Sequence, residues 1–136
     1  MSSSAFLFVY GTLKKGGELH AELESGGARF VGAGRIKGRL FRIRGESYPG
    51  AFPSSSREYI QGELYKLEEP TATLKKLDDI EGCDEGLFIR KLVDAWVGTR
   101  KMKAWTYFYG QLTNTSARIP SGSFRVKNGA RKKTAG

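Results

Sequence analysis

A short apolar strand followed by a glycine is the first place in this sequence where chemistry could occur. Residues 5–10 are apolar on both alternating faces, which is typical of a strand that is covered on both sides. Gly11 follows, and it can adopt backbone angles that other residues avoid. The N–H groups of Gly11, Thr12 and Leu13 could then point at one spot. Beside a following helix, they would form a site for a carboxylate, a phosphate or an oxyanion. A plain tight turn is the alternative interpretation.

A glutamate on the apolar side of a predicted helix is the second candidate. The sequence predicts a helix over residues 70–81, with a proline in its first turn and a buried stripe through Leu74 and Leu77. Glu81 lies seven and four residues beyond these leucines, so it falls on the same stripe, while Asp78 lies at its edge. A carboxylate in that position is costly to bury, and desolvation would raise its pKa and suit it to general acid/base work. Alternatively, the helix ends earlier and Glu81 only caps it.

Three further side chains have weaker claims to a chemical role. Glu63 lies in the middle of a predicted strand, on one face with Tyr65, and is a second candidate carboxylate or a solvent-facing residue. Tyr107 shares a strand face with two other aromatic residues and could line a pocket or fill the core. His20, the single histidine, stands at a helix start, where a packing or capping role is the commoner one.

Composition restricts the class of protein. A chain of 136 residues, 39% hydrophobic and 27% charged, fits one soluble domain with a modest core. One cysteine, Cys83, excludes an internal disulfide framework and a cysteine-based metal cluster, and we expect no cofactor. No segment approaches the roughly 20 apolar residues of a membrane span, and residues 1–4 carry no basic signal region. The sequence therefore predicts a cytoplasmic protein.

The net charge of +9 is concentrated near the C-terminus. Residues 118–136 contain six basic and no acidic residues, whereas residues 1–117 contain 17 basic and 14 acidic residues. A basic tail can bind nucleic acid, but a solvated end is the commoner case. The last dozen residues also lack the aromatic side chains on which bases stack. We therefore predict a basic, flexible tail over 125–136 and regard a nucleic-acid partner as the weaker hypothesis.

The order of predicted elements is mostly strands with two short helices, which indicates an α+β fold with a curved sheet or barrel. Leu19 and Leu23 share one face of the first helix. A turn is predicted at 47–50, and beyond residue 110 the chain is polar and irregular until a packed return at 119–124. The helices are expected at 18–25 and 70–81, and the strands at 5–10, 28–33, 35–43, 59–67, 87–97 and 101–109.

An ordered set of short motifs resembles the gamma-glutamylcyclotransferase-like family, of the gamma-glutamylamine cyclotransferase type. The match begins with Phe8-Val9-Tyr10-Gly11-Thr12-Leu13-Lys14-Lys15-Gly16 and covers residues 5–124. The later pieces follow in the family's order: Gly38-Arg39-Leu40-Phe41, Tyr48-Pro49-Gly50, Gly62-Glu63-Leu64-Tyr65, Leu77-Asp78-Asp79-Ile80-Glu81-Gly82, Phe88-Ile89-Arg90, Ala104-Trp105-Thr106-Tyr107 and Ile119-Pro120-Ser121-Gly122. Each motif is short, and their order makes the set specific.

The resemblance implies a single domain over 1–124, built as a small mixed β-barrel of about six strands with two short flanking helices. It implies a cavity at the end of the first strand, where the backbone of this motif holds an anionic part of the substrate. Glu81 would be the catalytic acid/base, and the substrate-binding residues would be Tyr10, Gly11, Thr12, Leu13 and Tyr107. Two positions depart from the family pattern: Phe88 replaces a usual tyrosine, and Ser123-Phe124 replaces a common Asp-Trp pair.

The implied reaction is an intramolecular cyclisation of a γ-glutamyl compound that releases 5-oxoproline and a free amine. Glu81 would take a proton from the attacking α-amine and return one to the leaving nitrogen. No metal or cofactor is required, and the partner is a small γ-glutamyl molecule. The identity of the leaving amine and the oligomeric state are left open. A non-enzymatic protein that binds small anions or γ-glutamyl metabolites in the same cavity is the alternative.

Overall fold

Alternating apolar residues build most of the chain into strands, which two short helices interrupt. The computed structural model describes residues 4–17, 19–111 and 115–124, with the backbone alone for 115 and 116. Along the chain the elements are β1 (Phe6–Val9), α1 (His20–Ser25), β2 (Arg29–Lys37), β3 (Arg39–Ile43), β4 (Pro49–Phe52), β5 (Tyr59–Lys66), α2 (Pro70–Ile80), β6 (Phe88–Val97), β7 (Arg100–Tyr109) and β8 (Thr115–Ile119). A single 3₁₀ turn at Cys83–Glu85 follows α2.

Five strands close a barrel in the order β1-β5-β2-β6-β7. The neighbours along this order are antiparallel, and the barrel is closed where β1 runs parallel to β7, with Leu7 opposite Trp105. The β6–β7 hairpin is the longest pairing, from Phe88 opposite Tyr109 to Val97 opposite Arg100. The predicted small mixed barrel with two flanking helices is confirmed.

The remaining three strands form a separate sheet in the order β4-β3-β8. The turn predicted at 47–50 is wrong in its second half: the chain bends at Ser47 and Tyr48, but β4 begins at Pro49 and pairs with β3. The irregular segment predicted after residue 110 contains β8, which pairs with the other edge of β3. About six strands were predicted, and the structure has eight: five in the barrel and three in the second sheet. Strands of four or five residues that pair only at a distance leave no local periodicity to detect.

The break between β2 and β3 lies at Gly38, whereas the sequence prediction placed it at Gly34. Gly34 lies inside β2, and only glycine fits there, because a Cβ would lie 2.7 Å from the Trp96 carbonyl oxygen of β6. At Gly38 an added Cβ would lie 2.7 Å from the Phe52 carbonyl oxygen, where the chain crosses from the barrel to the second sheet. Both glycines therefore allow a close approach of two backbones.

Two apolar clusters fill the molecule. One fills the barrel and includes inward residues of all five barrel strands, among them Phe8, Ile36, Ile60, Ala95 and Phe108. The other lies between the barrel wall and the helices, and consists of Leu7, Val9, Leu13, Leu23, Ile43, Tyr48, Tyr65, Leu67, Leu74, Leu77, Phe88, Tyr107 and Tyr109. β1 contributes to both clusters, because its successive side chains point to opposite faces.

The segment before the C-terminus returns to the barrel as predicted. Ile119 and Phe124 pack against the barrel cluster, and the Gly122 carbonyl accepts a hydrogen bond from the Gln61 N–H at 2.7 Å. The basic tail predicted at 125–136 lies outside the described residues. Among the described residues, no helix is both long enough and apolar enough to cross a membrane.

Candidate active site

The loop after β1 is folded into two consecutive turns. The Lys14 N–H donates to the Gly11 carbonyl at 3.0 Å, and the Gly17 N–H donates to the Lys14 carbonyl at 2.8 Å. The Thr12 carbonyl accepts from the Leu19 N–H at 3.0 Å, which ties the loop to the chain that leads into α1. A side chain at Gly17 would place its Cβ 2.1 Å from the Thr12 carbonyl oxygen, so only glycine fits there.

The start of this loop is buried. Gly11, Thr12 and Leu13 all lie inside the protein, and Leu13 is part of the helix-side cluster. Within the described part of the chain, the N–H groups of Gly11 and Leu13 have no hydrogen-bond acceptor. A buried donor without an acceptor is costly. The loop therefore offers these two N–H groups to an acceptor that is not part of the described chain.

Glu63 holds the outer side of the loop. Its Oε1 accepts hydrogen bonds from the Lys15 N–H at 2.8 Å and from the Tyr65 hydroxyl at 2.9 Å. This second candidate carboxylate therefore stabilises the conformation of the loop. His20 has a packing role too, because its Nδ1 lies 3.0 Å from the Leu13 carbonyl oxygen and its ring lies 5.7 Å from the Tyr65 ring.

Glu81 is fully buried at the end of α2. The helix ends at Ile80, and Glu81 is the residue that caps it, with its N–H donating to the Leu77 carbonyl at 2.8 Å. Gly82 follows in the left-handed conformation, at φ 70°, and turns the chain away. Both sequence interpretations therefore hold in part: the helix has ended, and the side chain still lies on the buried stripe with Leu74 and Leu77.

The charge of Glu81 acts on four titratable side chains: the phenols of Tyr10, Tyr48 and Tyr107 and the thiol of Cys83. Burial is the largest cause that raises the pKa of each of them. Glu81 is the next cause for Tyr10, whereas Asp78 precedes it for Tyr107 and Cys83, and Glu46 and Tyr109 precede it for Tyr48. The pKa of Tyr48 rises to about 12 and that of Cys83 to about 11. At neutral pH the three phenols are therefore hydrogen-bond donors, and Cys83 is a neutral thiol and a poor nucleophile.

Tyr10 and Tyr107 link the barrel to the helix. The Tyr10 hydroxyl donates to the Tyr107 carbonyl, and the Tyr107 hydroxyl donates to Asp78 Oδ1 at 2.7 Å. Both side chains are almost completely buried. Both residues are predicted from the sequence to bind substrate, and the structure brings them together. The Tyr107 hydroxyl is already engaged by a carboxylate of the protein.

Asp78 is the centre of a contact that the sequence analysis did not find. Its carboxylate pairs with the Arg90 guanidinium through two bonds, Nε to Oδ1 at 2.7 Å and Nη2 to Oδ2 at 3.0 Å. Arg90 also lies over the Trp105 ring, 4.5 Å from its centroid. The contact fastens α2 to β6 and β7 one turn before Glu81. The only sequence signal was the position of Asp78 at the edge of the buried stripe.

Phe88, one of the two departures from the family pattern, lies near the same place. It is fully buried and packs its ring 5.4 Å from that of Tyr109 and 5.8 Å from that of Tyr48. An aromatic ring is thus kept at this position without a hydroxyl. Among the described residues, no group of three or more His, Cys, Asp or Glu side chains could hold a metal ion.

Comparison with known proteins places the chain in a family. The model of the family described as "Gamma-glutamyl cyclotransferase, AIG2-like" matches residues 7–126. A Methanocaldococcus jannaschii protein named "Putative gamma-glutamylcyclotransferase" is 27% identical over 124 residues, which are 91% of this chain and 98% of that protein.

Two crystal structures share the fold. An uncharacterized protein from Pyrococcus horikoshii has a TM-score of 0.65 and 30% identity, over 89% of this chain and 90% of that one. An AIG2-like protein from Mus musculus has a TM-score of 0.73 and 21% identity, over 96% of this chain and 99% of that one. The chain therefore belongs to the gamma-glutamylcyclotransferase, AIG2-like family, and is an enzyme of the cyclotransferase class.

Proposed function

We propose that the protein cleaves a γ-glutamyl amine or γ-glutamyl amino acid and releases 5-oxoproline, with Glu81 as general acid and base. The observation that carries this proposal is the complete burial of Glu81, whose charge raises the pKa of the buried phenols of Tyr10, Tyr48 and Tyr107. A carboxylate is costly to bury away from water, and such groups are found at functional sites more often than elsewhere.

The chemistry needs one group that first takes a proton and then returns it. The α-amine of the substrate is mostly protonated at neutral pH, so a base must accept its proton before the nitrogen can attack. The nitrogen then forms a bond to the γ-carbonyl carbon and closes a five-membered ring. The bond from that carbon to the leaving nitrogen breaks as Glu81 returns the proton. The products are 5-oxoproline and a free amine, and no second reactant is consumed.

The loop after β1 would hold the substrate. The buried N–H groups of Gly11 and Leu13 suit a carboxylate or the oxyanion of the tetrahedral intermediate. Thr12 lies between them, and Tyr10 leads directly from β1 into the loop. Because the reaction is intramolecular, holding the γ-glutamyl chain in a folded conformation supplies much of the rate enhancement.

The test is the variant Glu81→Gln. It should retain the fold and lose 5-oxoproline release by a factor of about 10²–10⁴, the usual contribution of a general acid/base. A panel of γ-glutamyl compounds, with release of 5-oxoproline as the assay, would identify the leaving amine on the wild type first. Glu85→Gln is the matched control, because Glu85 is an exposed glutamate four residues further along the chain.

Full 5-oxoproline release by Glu81→Gln would exclude the role assigned to this residue. Thermal stabilisation of the wild type by γ-glutamyl compounds without any product would instead favour the binding protein considered above. The cytoplasmic location predicted from the sequence stays a prediction.

A further inference from the structure

We propose that the outer wall of the barrel, at the end where β6 turns into β7, binds single-stranded nucleic acid. The surface is distinct from the candidate active site: along β6 its centre, Trp96, lies six residues from Arg90, about 20 Å at the usual rise of a strand. We call it the basic face and define it by seven cations and two aromatic residues: Arg35, Lys37, Arg39, Arg57, Lys101, Lys103 and Arg118, with Tyr59 and Trp96.

The register of the barrel strands places the centre of this face in one row. Gln61 of β5 lies opposite Arg35 of β2, Arg35 lies opposite Trp96 of β6, and Trp96 lies opposite Lys101 of β7. Opposed residues in a sheet point to the same side, and here the alternate residues Ile36, Ile60 and Ala95 fill the barrel. The row therefore runs across four strands on the outside, a width of about 15 Å.

A second row lies beside the first. Tyr59 of β5 is opposite Lys37 of β2, and Asp94 of β6 is opposite Lys103 of β7. The ion pair between Lys103 and Asp94 lowers the pKa of this carboxyl, and Lys101 and Lys37 lower it further. One carboxylate is thus surrounded by three lysines, which leaves a surplus of positive charge on the wall.

Aromatic rings are interleaved with these cations. The Arg35 guanidinium lies 5.4 Å from the Tyr59 ring centroid and 5.8 Å from that of Trp96, and the two rings are nearly perpendicular at 6.1 Å. Both rings are half-buried, so part of each faces outward. Proteins that bind single strands combine this kind of aromatic and guanidinium platform with a positive surface that follows the phosphates.

A cleft of about 290 Å³ extends the face beyond β5 toward the second sheet. It shares Tyr59 and Gln61 with the barrel wall, and Arg39, Arg57 and Arg118 also line it. Glu58 accepts hydrogen bonds from Arg39 and Arg118 and so fixes the positions of both guanidinium groups. Within the described part of the chain, Arg57 has no acidic partner.

The charge of the described chain is concentrated on this face. The described residues contain eighteen Lys and Arg and thirteen Asp and Glu, an excess of five positive charges. The basic face holds seven of these cations and two of the acids, Glu58 and Asp94, which is the same excess of five. The eleven cations and eleven acids that remain elsewhere balance each other. The sequence showed only a nearly neutral body, because the seven cations come from β2, β3, β7, β8 and the loop before β5.

A single strand fits this surface better than an anionic membrane does. The large exposed apolar side chains that could enter a membrane are Phe30, Ile89 and Leu92, and none of them is among the nine residues of the basic face. Leu92 lies at its border, two positions from Asp94 on the same side of β6. Within the face, the apolar groups are rings packed beside a guanidinium. The face is also carried by the folded barrel, so it does not require the basic residues of 125–136.

The test is fluorescence anisotropy of a labelled oligonucleotide of roughly 12 nucleotides, within the usual site size of one small domain, on the full chain. The double variant Arg35→Ala/Lys101→Ala should raise Kd at least tenfold. Loss of two phosphate contacts should also reduce the slope of log K against log salt by about 1.4. Trp96→Ala should weaken binding at least fivefold, and Trp96→Phe should restore it. The matched control is Lys75→Ala/Lys91→Ala, which removes two exposed cations from other surfaces.

These variants should release 5-oxoproline at the wild-type rate, because none of them lies at the candidate active site. If Arg35→Ala/Lys101→Ala lowers Tm, then Lys37→Glu/Lys101→Glu changes two exposed lysines instead and should weaken binding more strongly. The proposal is overturned if the wild type does not bind the oligonucleotide at low salt, or if the control pair weakens binding as much as the test pair. It is equally overturned if truncation after Phe124 abolishes binding while the variants bind normally, or if duplex or anionic vesicles are bound more tightly than the single strand.

Discussion

Asp78→Asn should separate the positioning of Glu81 from its chemistry. The substitution keeps the size of the side chain and removes its charge. One oxygen can still accept from Arg90 Nε and from the Tyr107 hydroxyl, but the new amide group would face Arg90 Nη2, donor against donor. The change thus removes an ion pair and one hydrogen bond, and it leaves a guanidinium without its counter-charge.

The burial of the Asp78–Arg90 pair determines how much stability the substitution should remove. The Arg90 and Asp78 side chains are 25% and 28% exposed, so the pair lies between a surface ion pair and a fully buried one. Exposed pairs contribute less than about 1 kcal/mol, whereas breaking a buried pair costs about 3–5 kcal/mol. We therefore expect a loss of about 2 kcal/mol of unfolding free energy, or about 8 °C in Tm for a domain of this size.

The assay is thermal unfolding followed by circular dichroism, with 5-oxoproline release as the second readout. Asp79→Asn is the matched control, because it removes the same charge from the next, exposed position of α2 and should change Tm by about 1 °C or less. If α2 moves, kcat for 5-oxoproline release should fall about tenfold, because the proposed acid/base group would no longer be correctly positioned. A Tm for Asp78→Asn within about 2 °C of the wild type would refute the argument that this contact fastens the helix.

Two further outcomes test the loop and the second sheet. Gly17→Ala would place a Cβ 2.1 Å from the Thr12 carbonyl oxygen, so the loop must shift by about 1 Å. We therefore expect kcat/KM for 5-oxoproline release to fall about 100-fold. Unchanged kinetics would contradict the proposed role of the loop. Hydrogen bonds from Arg39, Ser56 and Arg118 lower the pKa of Glu58 from 4.5 to about 2. Its contribution to stability is therefore present above pH 4.5 and is lost as the pH falls toward 2. The Tm of Glu58→Gln should accordingly fall less steeply with acid across that window than the Tm of the wild type, and two parallel curves would show that the Glu58 contacts add nothing.

Much of the fold could be predicted because its signals are local. The hairpin of β6 and β7, the helix α2 and the buried position of Glu81 all follow from spacing within one stretch of sequence. β4 and β8 could not be found, because each is short and gains its order only by pairing with β3. For such strands tertiary contacts decide, and residue preferences do not.

The candidate site was predictable only for residues that stand out within their own stretch of sequence. Tyr10 and Glu81 each stand out in their own segment, and the fold brings them together. Arg90 does not stand out, since nothing near it in the sequence indicates that its partner is Asp78, twelve positions earlier on another element. Glu63 was ambiguous for a related reason: the same strand face can meet solvent or, as here, the N–H of a loop.

The closure of the barrel through β1 determines at which stage of translation the protein can complete its fold. β1 is translated before both of its partners, β5 and β7, and the Thr106 hydroxyl of β7 donates to the Phe8 carbonyl across 98 positions of the chain. A nascent chain can therefore pair β1 with β5 first, but the other edge of this strand, which is apolar on both faces, stays open until β7 has left the ribosome. Such a strand is prone to aggregate and to engage chaperones. Because β7 carries Tyr107 and closes the barrel, we expect a fragment that ends before β7 not to assemble the candidate site.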